Sequence, residues 1–153
     1  MKIAAMTVLL AGMLCASGSF ANANNETLIV GKWYCTSGYQ GNEDAFKVSS
    51  ITEYRPDYTY SHQQEAWYVQ DGQNMVSRVG YEGIWAVNGT DYQWQHQKVR
   101  RFGDNQKLGT PLNTVEDLSS PVNGRADIVH LDDKNFIYSQ HGSGEFWTRC
   151  DRL

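Results

Sequence analysis

The stretch "GKWYC" at residues 31–35 and the stretch "FWTRCDRL" at residues 146–153 decide the predicted fold. Each is a short run of alternating character, typical of a β-strand, and each carries one cysteine, Cys35 in the first and Cys150 in the second. Pairing of a first strand with a last strand closes a sheet into a barrel and leaves it without a free edge. The two ends therefore predict a closed antiparallel barrel.

The register of this seam follows from placing the two cysteines opposite each other on neighbouring strands. Trp33 then lies directly opposite Arg152 on the same face, where an arginine guanidinium over an indole makes a favourable cation–π contact. Gly31 would let the chain pack closely beside them. We expect these three residues to close the barrel at one end.

The first residues are typical of a secretory signal peptide. Lys2 precedes the apolar run "IAAMTVLLAGMLCA", which is too short for a membrane span, and the small and polar stretch "SGSFANANN" follows. The A-x-A-like pattern predicts cleavage after Ala21 or Ala23. We expect residues 1–23 to be the signal peptide and residues 24–153 to form one domain.

The cysteine count agrees with export. Removal of the signal peptide takes away Cys15 and leaves Cys35 and Cys150, and an even pair in an exported protein most simply forms a disulfide. A lipoprotein anchored at Cys15 is the less favoured alternative, because Leu14 stands where a small residue is needed. We therefore predict a periplasmic or secreted protein with a Cys35–Cys150 bond.

The charge balance and the missing motifs exclude several classes of function. Thirteen Lys and Arg stand against 17 Asp and Glu, a formal net charge of −4, and no long basic run argues for a nucleic acid partner. There is no G-x-G-x-x-G, phosphate-binding loop, H-E-x-x-H or zinc-spaced cysteine pair. Nothing aligns a nucleophile with a base. The sequence predicts a non-enzymatic protein without a metal or cofactor.

Short alternating runs separated by turn signals predict an all-β domain of eight strands. These span approximately residues 28–37, 46–55, 58–70, 73–87, 90–102, 125–132, 135–141 and 145–152. Residues 103–124 lack alternation and hold two of the three prolines, which indicates a long functional or mobile loop. Within it, "TVEDLSS" is expected to form one or two helical turns capped by Thr114.

Two hairpin signals, Asp71-Gly72 and Asn88-Gly89, set the registers of the middle strands. The first places Tyr58 opposite Trp85, Tyr60 opposite Gly83, His62 opposite Tyr81 and Glu65 opposite Arg78. The second places Trp85 opposite Tyr92, Gly83 opposite Trp94 and Tyr81 opposite His96. Both registers agree on the inward face, and on that face a glycine at position 83 would leave room for the rings of Tyr60 and Trp94.

This inward face carries the candidate ligand-binding side chains. They are aromatic residues and histidines from three strands: Tyr58, Tyr60, His62, Tyr81, Trp85, Tyr92, Trp94 and His96. The two histidines either fix a ligand by hydrogen bonds or belong to a polar cluster that only fills the barrel, and the rings are either a stacking surface or plain core. Many of these side chains carry a polar group, which favours a small, partly polar or aromatic ligand over a long fatty chain. The histidines lie two strand spacings apart, roughly 9–10 Å, without a third ligand for a metal.

The seam is also the basis of a family resemblance. Gly31, Trp33 and Arg152, with Arg149 as the alternative arginine, resemble the G-x-W and terminal arginine of lipocalin-like domains in the calycin superfamily. The stretches "YRPDYTY" and "YEGIWAVNGTDY" are similar to bacterial members, although the T-D-Y-x-x-Y motif of typical lipocalins is missing. The resemblance covers most of residues 28–153. It implies an eight-stranded up-and-down barrel with a small-molecule site at its open end.

A protein-binding module is the alternative function. "YCTSGY" is faintly similar to the first strand of periplasmic lysozyme inhibitors, which are small disulfide-bonded barrels. Such a protein would bind a secreted or host enzyme through exposed loops, here residues 38–45 or 103–124, and through the outward Trp67 and Val76. An enzyme on the same scaffold is a third hypothesis that rests on the histidines alone.

Overall fold

The structure, a computed structural model, describes residues 20–39, 46–102, 107–109, 115–141 and 146–153. One helix precedes eight strands: α1 (Phe20–Ile29), β1 (Gly31–Tyr39), β2 (Phe46–Tyr54), β3 (Thr59–Gln70), β4 (Gln73–Asn88), β5 (Asp91–Arg101), β6 (Val115–Leu131), β7 (Asn135–Gln140) and β8 (Phe146–Arg152). Each strand pairs antiparallel with the next, and β8 pairs with β1. The predicted eight-stranded up-and-down barrel is confirmed. Helices long and apolar enough to cross a membrane are absent from the described residues.

The seam between β1 and β8 has the predicted register. Cys35 lies opposite Cys150 and is bonded to it, and Trp33 lies opposite Arg152. The guanidinium carbon of Arg152 is 4.1 Å from the centre of the Trp33 ring, which is completely buried. A register slip by one residue would turn all of these side chains to the other face, so the disulfide and the Arg152–Trp33 contact fix the closure together.

Helix α1 is attached to this seam. The guanidinium of Arg152 donates hydrogen bonds to the carbonyls of Leu28 and, at 2.9 Å, Val30, and the indole nitrogen of Trp33 donates to the carbonyl of Ile29 at 2.8 Å. These carbonyls have no partner within the helix, and a cation at a helix C-terminus also interacts favourably with the helix dipole. The first strand therefore begins after the helix and not near residue 28 as expected.

Gly31 is required at the junction of helix and strand. Its φ of +141° lies in the region that other residues rarely adopt, and a Cβ there would come within 2.2 Å of Arg152 Nη1. The helix begins at Phe20, inside the predicted signal peptide, while residues 1–19 lie outside the described residues. The boundary between signal peptide and domain stays a prediction.

Buried rings fill the end of the barrel that carries α1, and we call them the aromatic floor. They are Trp33, Tyr54, Trp85, Tyr92 and Phe136. The rings meet edge to face, with centroids 5.8 Å apart for Trp33 and Phe136 and 5.7 Å apart for Tyr54 and Trp85. Above the floor the barrel interior is lined differently, as described below.

The register between β3 and β4 is confirmed, including His62 opposite Tyr81 and the outward pair Glu65 and Arg78. The register between β4 and β5 is not the predicted one, because the two-residue loop is Gly89-Thr90 and Asn88 still belongs to the strand. Pairing changes accordingly, so that Trp85 faces Trp94, Gly83 faces His96 and Val87 faces Tyr92. The predicted pairs Trp85–Tyr92, Gly83–Trp94 and Tyr81–His96 are wrong. The shift is two residues from the turn as far as Gly83–His96, so these side chains stay on their predicted faces, and a bulge between Glu82 and Gly83 makes it three beyond that pair.

A glycine does make room for the Trp94 ring, but it is Gly124 on β6. A Cβ at this position would lie 2.1 Å from ring atoms of Trp94. At Gly83 the conflict would be with the backbone, because a Cβ would lie 1.8 Å from the carbonyl oxygen of Gln95. Both glycines allow close approach, each to a different neighbour.

Strand β6 replaces most of the expected second half of the long loop. Residues 115–120 are extended and not helical, while Thr114 lies outside the described residues. Pro121 is tolerated because the β5–β6 pairing is interrupted between His96–Val122 and Lys98–Asp117, and an irregularity is where a strand accepts a proline. The alternation rule fails here because this part of β6 is exposed at almost every residue.

Candidate functional site

A cavity of about 230 Å³ occupies the barrel interior beyond the aromatic floor. Inward side chains line it from six strands: Ser37, Phe46, Val48, Ser50, Thr52, Tyr54, Tyr60, His62, Gln64, Tyr92, Trp94, His96, Tyr138, Gln140, Phe146 and Thr148. Tyr54 and Tyr92 belong to the floor. Phe46 and Phe146 are the first residues of β2 and β8 and lie at the opposite end, which we call the mouth. The cavity thus runs from the floor to the mouth.

Five of the eight predicted site residues line this cavity. They are Tyr60, His62, Tyr92, Trp94 and His96. The structure brings them together because β3 and β5 turn the same face inward. Whether any of them binds a ligand stays a prediction.

Three predicted site residues lie elsewhere. Tyr58 is 48% exposed, because its φ of +62° places it in the turn before β3. Its ring contacts that of Trp85, with ring centres 5.3 Å apart. Trp85 is part of the floor and donates from its indole nitrogen to the carbonyl of Thr59 at 3.1 Å. Tyr81 is not among the described lining residues and stacks on His96, with ring centres 4.1 Å apart.

His62 is held by hydrogen bonds at both ring nitrogens. Its Nε2 is 3.2 Å from Gln64 Oε1, an acceptor, so Nε2 carries the proton. Its Nδ1 then accepts from the hydroxyl of Thr52 at 2.7 Å. Burial lowers the pKa of His62 and outweighs the hydrogen bond to Gln64, which raises it. This histidine is neutral and fixed in orientation at neutral pH.

Within the described part of the chain, His96 has a hydrogen-bond partner at Nδ1 only. The hydroxyl of Tyr60 is hydrogen bonded to its Nδ1. Burial, and secondarily the neighbouring His62, lower the pKa of His96 from 6.5 to about 4, while burial raises the pKa of Tyr60. Both groups are therefore neutral at pH 7, and the tautomer of His96 decides whether the Tyr60 hydroxyl donates to Nδ1 or accepts from it.

Sequence reasoning missed the hydroxyl groups of the cavity wall. Ser37 and Thr148 are hydrogen bonded across the seam at 2.8 Å, and Ser50 and Thr52 are buried on β2. The signal was present, because the seam register places Ser37 opposite Thr148 on the same inward face as Trp33. The two residues were not chosen, since serine and threonine on a strand more often face water.

The described part of the cavity wall carries no charged side chain, and the two floor residues that line the cavity hydrogen bond to each other. Lys, Arg, Asp and Glu are absent from the described lining of the cavity. The hydroxyls of Tyr54 and Tyr92 are 2.6 Å apart, and burial raises the pKa of both, so this pair also stays neutral. A group of three metal-ligating side chains does not occur among the described residues. The site offers neutral hydrogen-bonding groups and aromatic faces.

The surface proposed for a protein partner is only partly described. Trp67 lies directly opposite Val76, and the two side chains are 37% and 45% exposed. Residues 40–45, 103–106 and 110–114 of the two candidate loops lie outside the described residues.

Comparison with known proteins adds no relative: no model of a known protein family matches the chain, and no curated protein matches it. The closed eight-stranded barrel is compatible with a lipocalin-like fold. The similarity to that family rests on Gly31, Trp33 and Arg152 and on the topology they close.

Proposed function

We propose that this chain is an exported, non-enzymatic barrel that binds one small molecule in its cavity. The observation that carries the proposal is the unfilled interior. An eight-stranded barrel is just wide enough to be filled by its own side chains or to hold one small ligand. Here the small Ser37, Ser50, Thr52 and Thr148 stand at inward positions where large apolar residues would fill the core, and about 230 Å³ stays open.

The protonation states of the cavity favour binding over catalysis. A general base works best when its pKa lies near the operating pH. The pKa of His96 is lowered to about 4 and that of Tyr60 is raised, so the pair is a weak base beside a weak acid. His62 is neutral as well, with both nitrogens occupied by Thr52 and Gln64.

The disulfide supports export. Cys35 and Cys150 join strands that are 115 residues apart in sequence, and such structural bonds persist in oxidising compartments such as the periplasm. The apolar start of the sequence agrees with this location. We therefore place the protein in the periplasm or outside the cell.

Filling the cavity tests the proposal. Ser37→Phe would place a ring in the cavity, whereas Thr36→Phe, one residue earlier on β1, would place it on the exposed outer face. Native mass spectrometry after incubation with extract of the source cells should show a small molecule on the wild type and on Thr36→Phe but not on Ser37→Phe. A wild-type protein that takes up nothing, or an equal load on Ser37→Phe, would overturn the proposal.

A protein partner is the second candidate, favoured by the exposed pair Trp67 and Val76 on β3 and β4. Large apolar side chains that cluster on the surface are typical of interaction sites. If the partner binds there, Trp67→Ser should abolish its capture from periplasmic extract, and Tyr34→Ser, an exposed aromatic on β1, should not. Equal capture by both variants would exclude this surface.

A further inference from the structure

The cavity also indicates the chemistry of its ligand. Resting on the proposed function, we propose that the site takes an uncharged aromatic molecule of one ring or two fused rings, and that His96 Nε2 hydrogen bonds to its one polar group. Four features of the cavity lead to this class: its size, its lack of charge, the pairing of its hydroxyls and its aromatic faces.

Size limits the ligand to a small molecule. Pockets for drug-sized ligands have volumes of roughly 300–1,000 Å³. At about 230 Å³ this cavity lies below that range. A single ring with one substituent, or two fused rings, fits such a volume, whereas a large macrocycle does not.

The wall excludes charged ligands. A carboxylate that leaves water needs a counter-ion or several hydrogen bonds, since otherwise its burial costs several kcal/mol. Among the described residues of the lining there is no cation, and both histidines are neutral at pH 7. Two arginines of β4 and β5 are paired with carboxylates, Arg78 with Glu65 and Arg100 with Glu82. A neutral ligand meets no such penalty.

Most hydroxyls and ring nitrogens of the wall bind each other. The internal pairs are Ser37 with Thr148, Thr52 with His62, Tyr54 with Tyr92 and Tyr60 with His96 Nδ1. His96 Nε2 differs, because no described group hydrogen bonds to it. It is also not one of the described polar atoms that are fully buried without a hydrogen-bond partner. Nε2 is therefore open to a molecule in the cavity. In the tautomer whose Nδ1 accepts from Tyr60, Nε2 carries the proton and donates to an acceptor such as an amide carbonyl.

Aromatic faces complete the site. Trp94 is only partly buried, lines the cavity and is backed by Tyr92, with ring centres 5.0 Å apart. Gly124 gives the ring its space, since a Cβ at that position would lie 2.1 Å from ring atoms of Trp94. Phe46 and Phe146 stand at the mouth with ring centres 6.3 Å apart. Rings at both ends favour a flat aromatic ligand over a carbohydrate or a flexible chain.

A matched set of probes tests the class. Benzamide and benzoate have the same shape and differ in charge at pH 7.5, and cyclohexanecarboxamide keeps the amide but loses the aromatic ring. In ligand-observed NMR titrations we expect benzamide to bind at least about tenfold more tightly than either of the others. Benzoate or cyclohexanecarboxamide binding as tightly as benzamide would overturn the proposed class.

Two variants test the role of the cavity wall. His96→Leu should weaken benzamide at least about fivefold but leave toluene, which has no polar group, unchanged. Equal losses for both probes would assign His96 a structural role only and overturn its proposed contact.

Gln140→Lys, at an exposed position on the lining, should strengthen benzoate binding by supplying the missing cation, and an unchanged benzoate affinity would contradict the charge argument. His130→Leu, outside the cavity lining, is the control.

The extract experiment separates this inference from the proposed function. If the cell-derived molecule on the wild type is anionic or a carbohydrate, the barrel is a binding protein and the ligand class is wrong. If neither the extract nor any probe supplies a bound molecule, the proposed function fails as well.

Discussion

The two ends of the barrel interior use polar groups in opposite ways. At the floor, polar atoms serve to anchor large rings: Tyr54 and Tyr92 bond to each other, and the indole of Trp33 bonds to the end of α1. Beyond the floor the side chains become small and hydroxylated, such as Ser37 and Thr148, and the interior stays open. One end is closed by packed rings, whereas at the other end the side chains surround an open cavity.

The difference separates residues that contribute stability from residues on which the proposed function depends. The buried rings and the seam stabilise the fold through packing and bonding. The cavity lacks the stabilisation of roughly 1.5–3 kcal/mol that each large apolar side chain filling it would contribute. Changes at the floor and seam should therefore lower stability, and changes in the cavity should alter binding first. Variants of each region test this contrast.

The largest effect is expected from the disulfide. Cys35→Ala with Cys150→Ala frees a connection of 115 residues in the unfolded chain, and loss of such a bond costs about 2–5 kcal/mol. Guanidinium unfolding followed by tryptophan fluorescence would measure the change. A loss below about 1 kcal/mol would mean that the floor alone holds the barrel closed.

Arg152→Met should follow, with a loss of about 2–3 kcal/mol in the free energy of unfolding. The variant removes the cation–π contact to Trp33 and leaves the carbonyls of Leu28 and Val30 without their donor. Arg149→Met, at the exposed position on the same strand, is the matched control and should change stability by less than about 0.5 kcal/mol. Equal losses in the two variants would show that Arg152 does not clamp the seam.

A smaller, pH-dependent effect is expected from the cavity through His96. Its pKa is about 4 in the folded chain against 6.5 for an ordinary histidine, so between these values the unfolded chain binds more protons. Stability contributed by the neutral ring is complete above pH 6.5, falls as pH decreases towards 4 and is constant below it. After allowance for the solvent-accessible part of the ring, we expect about 1–2 kcal/mol.

Comparison of wild type and His96→Gln checks this pH dependence. Thermal or urea unfolding between pH 7.5 and pH 3.5 should show a shallower decrease for the variant, because one titrating group is gone. Parallel profiles would show that His96 has an ordinary pKa and that the cavity is charged at mildly acidic pH.

The smallest effect is expected outside both regions. Glu65 and Arg78 form an ion pair across β3 and β4 on the outer face. Such surface pairs contribute about 0–1 kcal/mol. Glu65→Gln should therefore change the urea midpoint by little, and 0.5 M salt should remove the difference. A larger, salt-resistant loss would mean that this hairpin contributes to the barrel as much as the seam does.

The sequence predicts the fold well where a covalent or steric constraint fixes the register. The two cysteines fix the β1–β8 seam, and Asp71-Gly72 fixes the β3–β4 hairpin. Asn88-Gly89 is ambiguous, because a glycine with positive φ can be the first or the second loop residue. Here Gly89, with φ +65°, comes first. The error of two residues preserved the inward faces and changed only which residues are direct partners.

Two elements could not be predicted because tertiary contacts decide them. Helix α1 has a polar sequence without an apolar stripe, and its end is held by Arg152 and Trp33, more than a hundred residues away in the first case. The start of β6 pairs with β5 although its residues do not alternate and Pro121 lies within it. In both cases the pairing partner, not local propensity, selects the conformation.

The candidate site was predicted in part, and the pattern of errors has a physical cause. Inward aromatic residues of β3 and β5 were found, because alternation marks them. Tyr58 was misplaced because its turn conformation is invisible in the alternation, and Tyr81 because its ring stacks on His96 instead of joining the described lining. The hydroxyls of β1, β2 and β8 were missed because small polar side chains at inward positions do not resemble the apolar residues of a core.

The seam also has a kinetic consequence. Strands β3, β4 and β5 are joined by two-residue turns and form local contacts, whereas β1 and β8 must meet across almost the whole domain. Contacts between residues distant in sequence form late, since closing a long stretch of chain costs entropy before these contacts can stabilise it. We expect refolding to produce an open, curled sheet with a wet interior, and the last step to be a zipper-like closure that expels water from the floor. Pulsed hydrogen exchange would show it, with amides of residues 60–67 protected before those of residues 32–36.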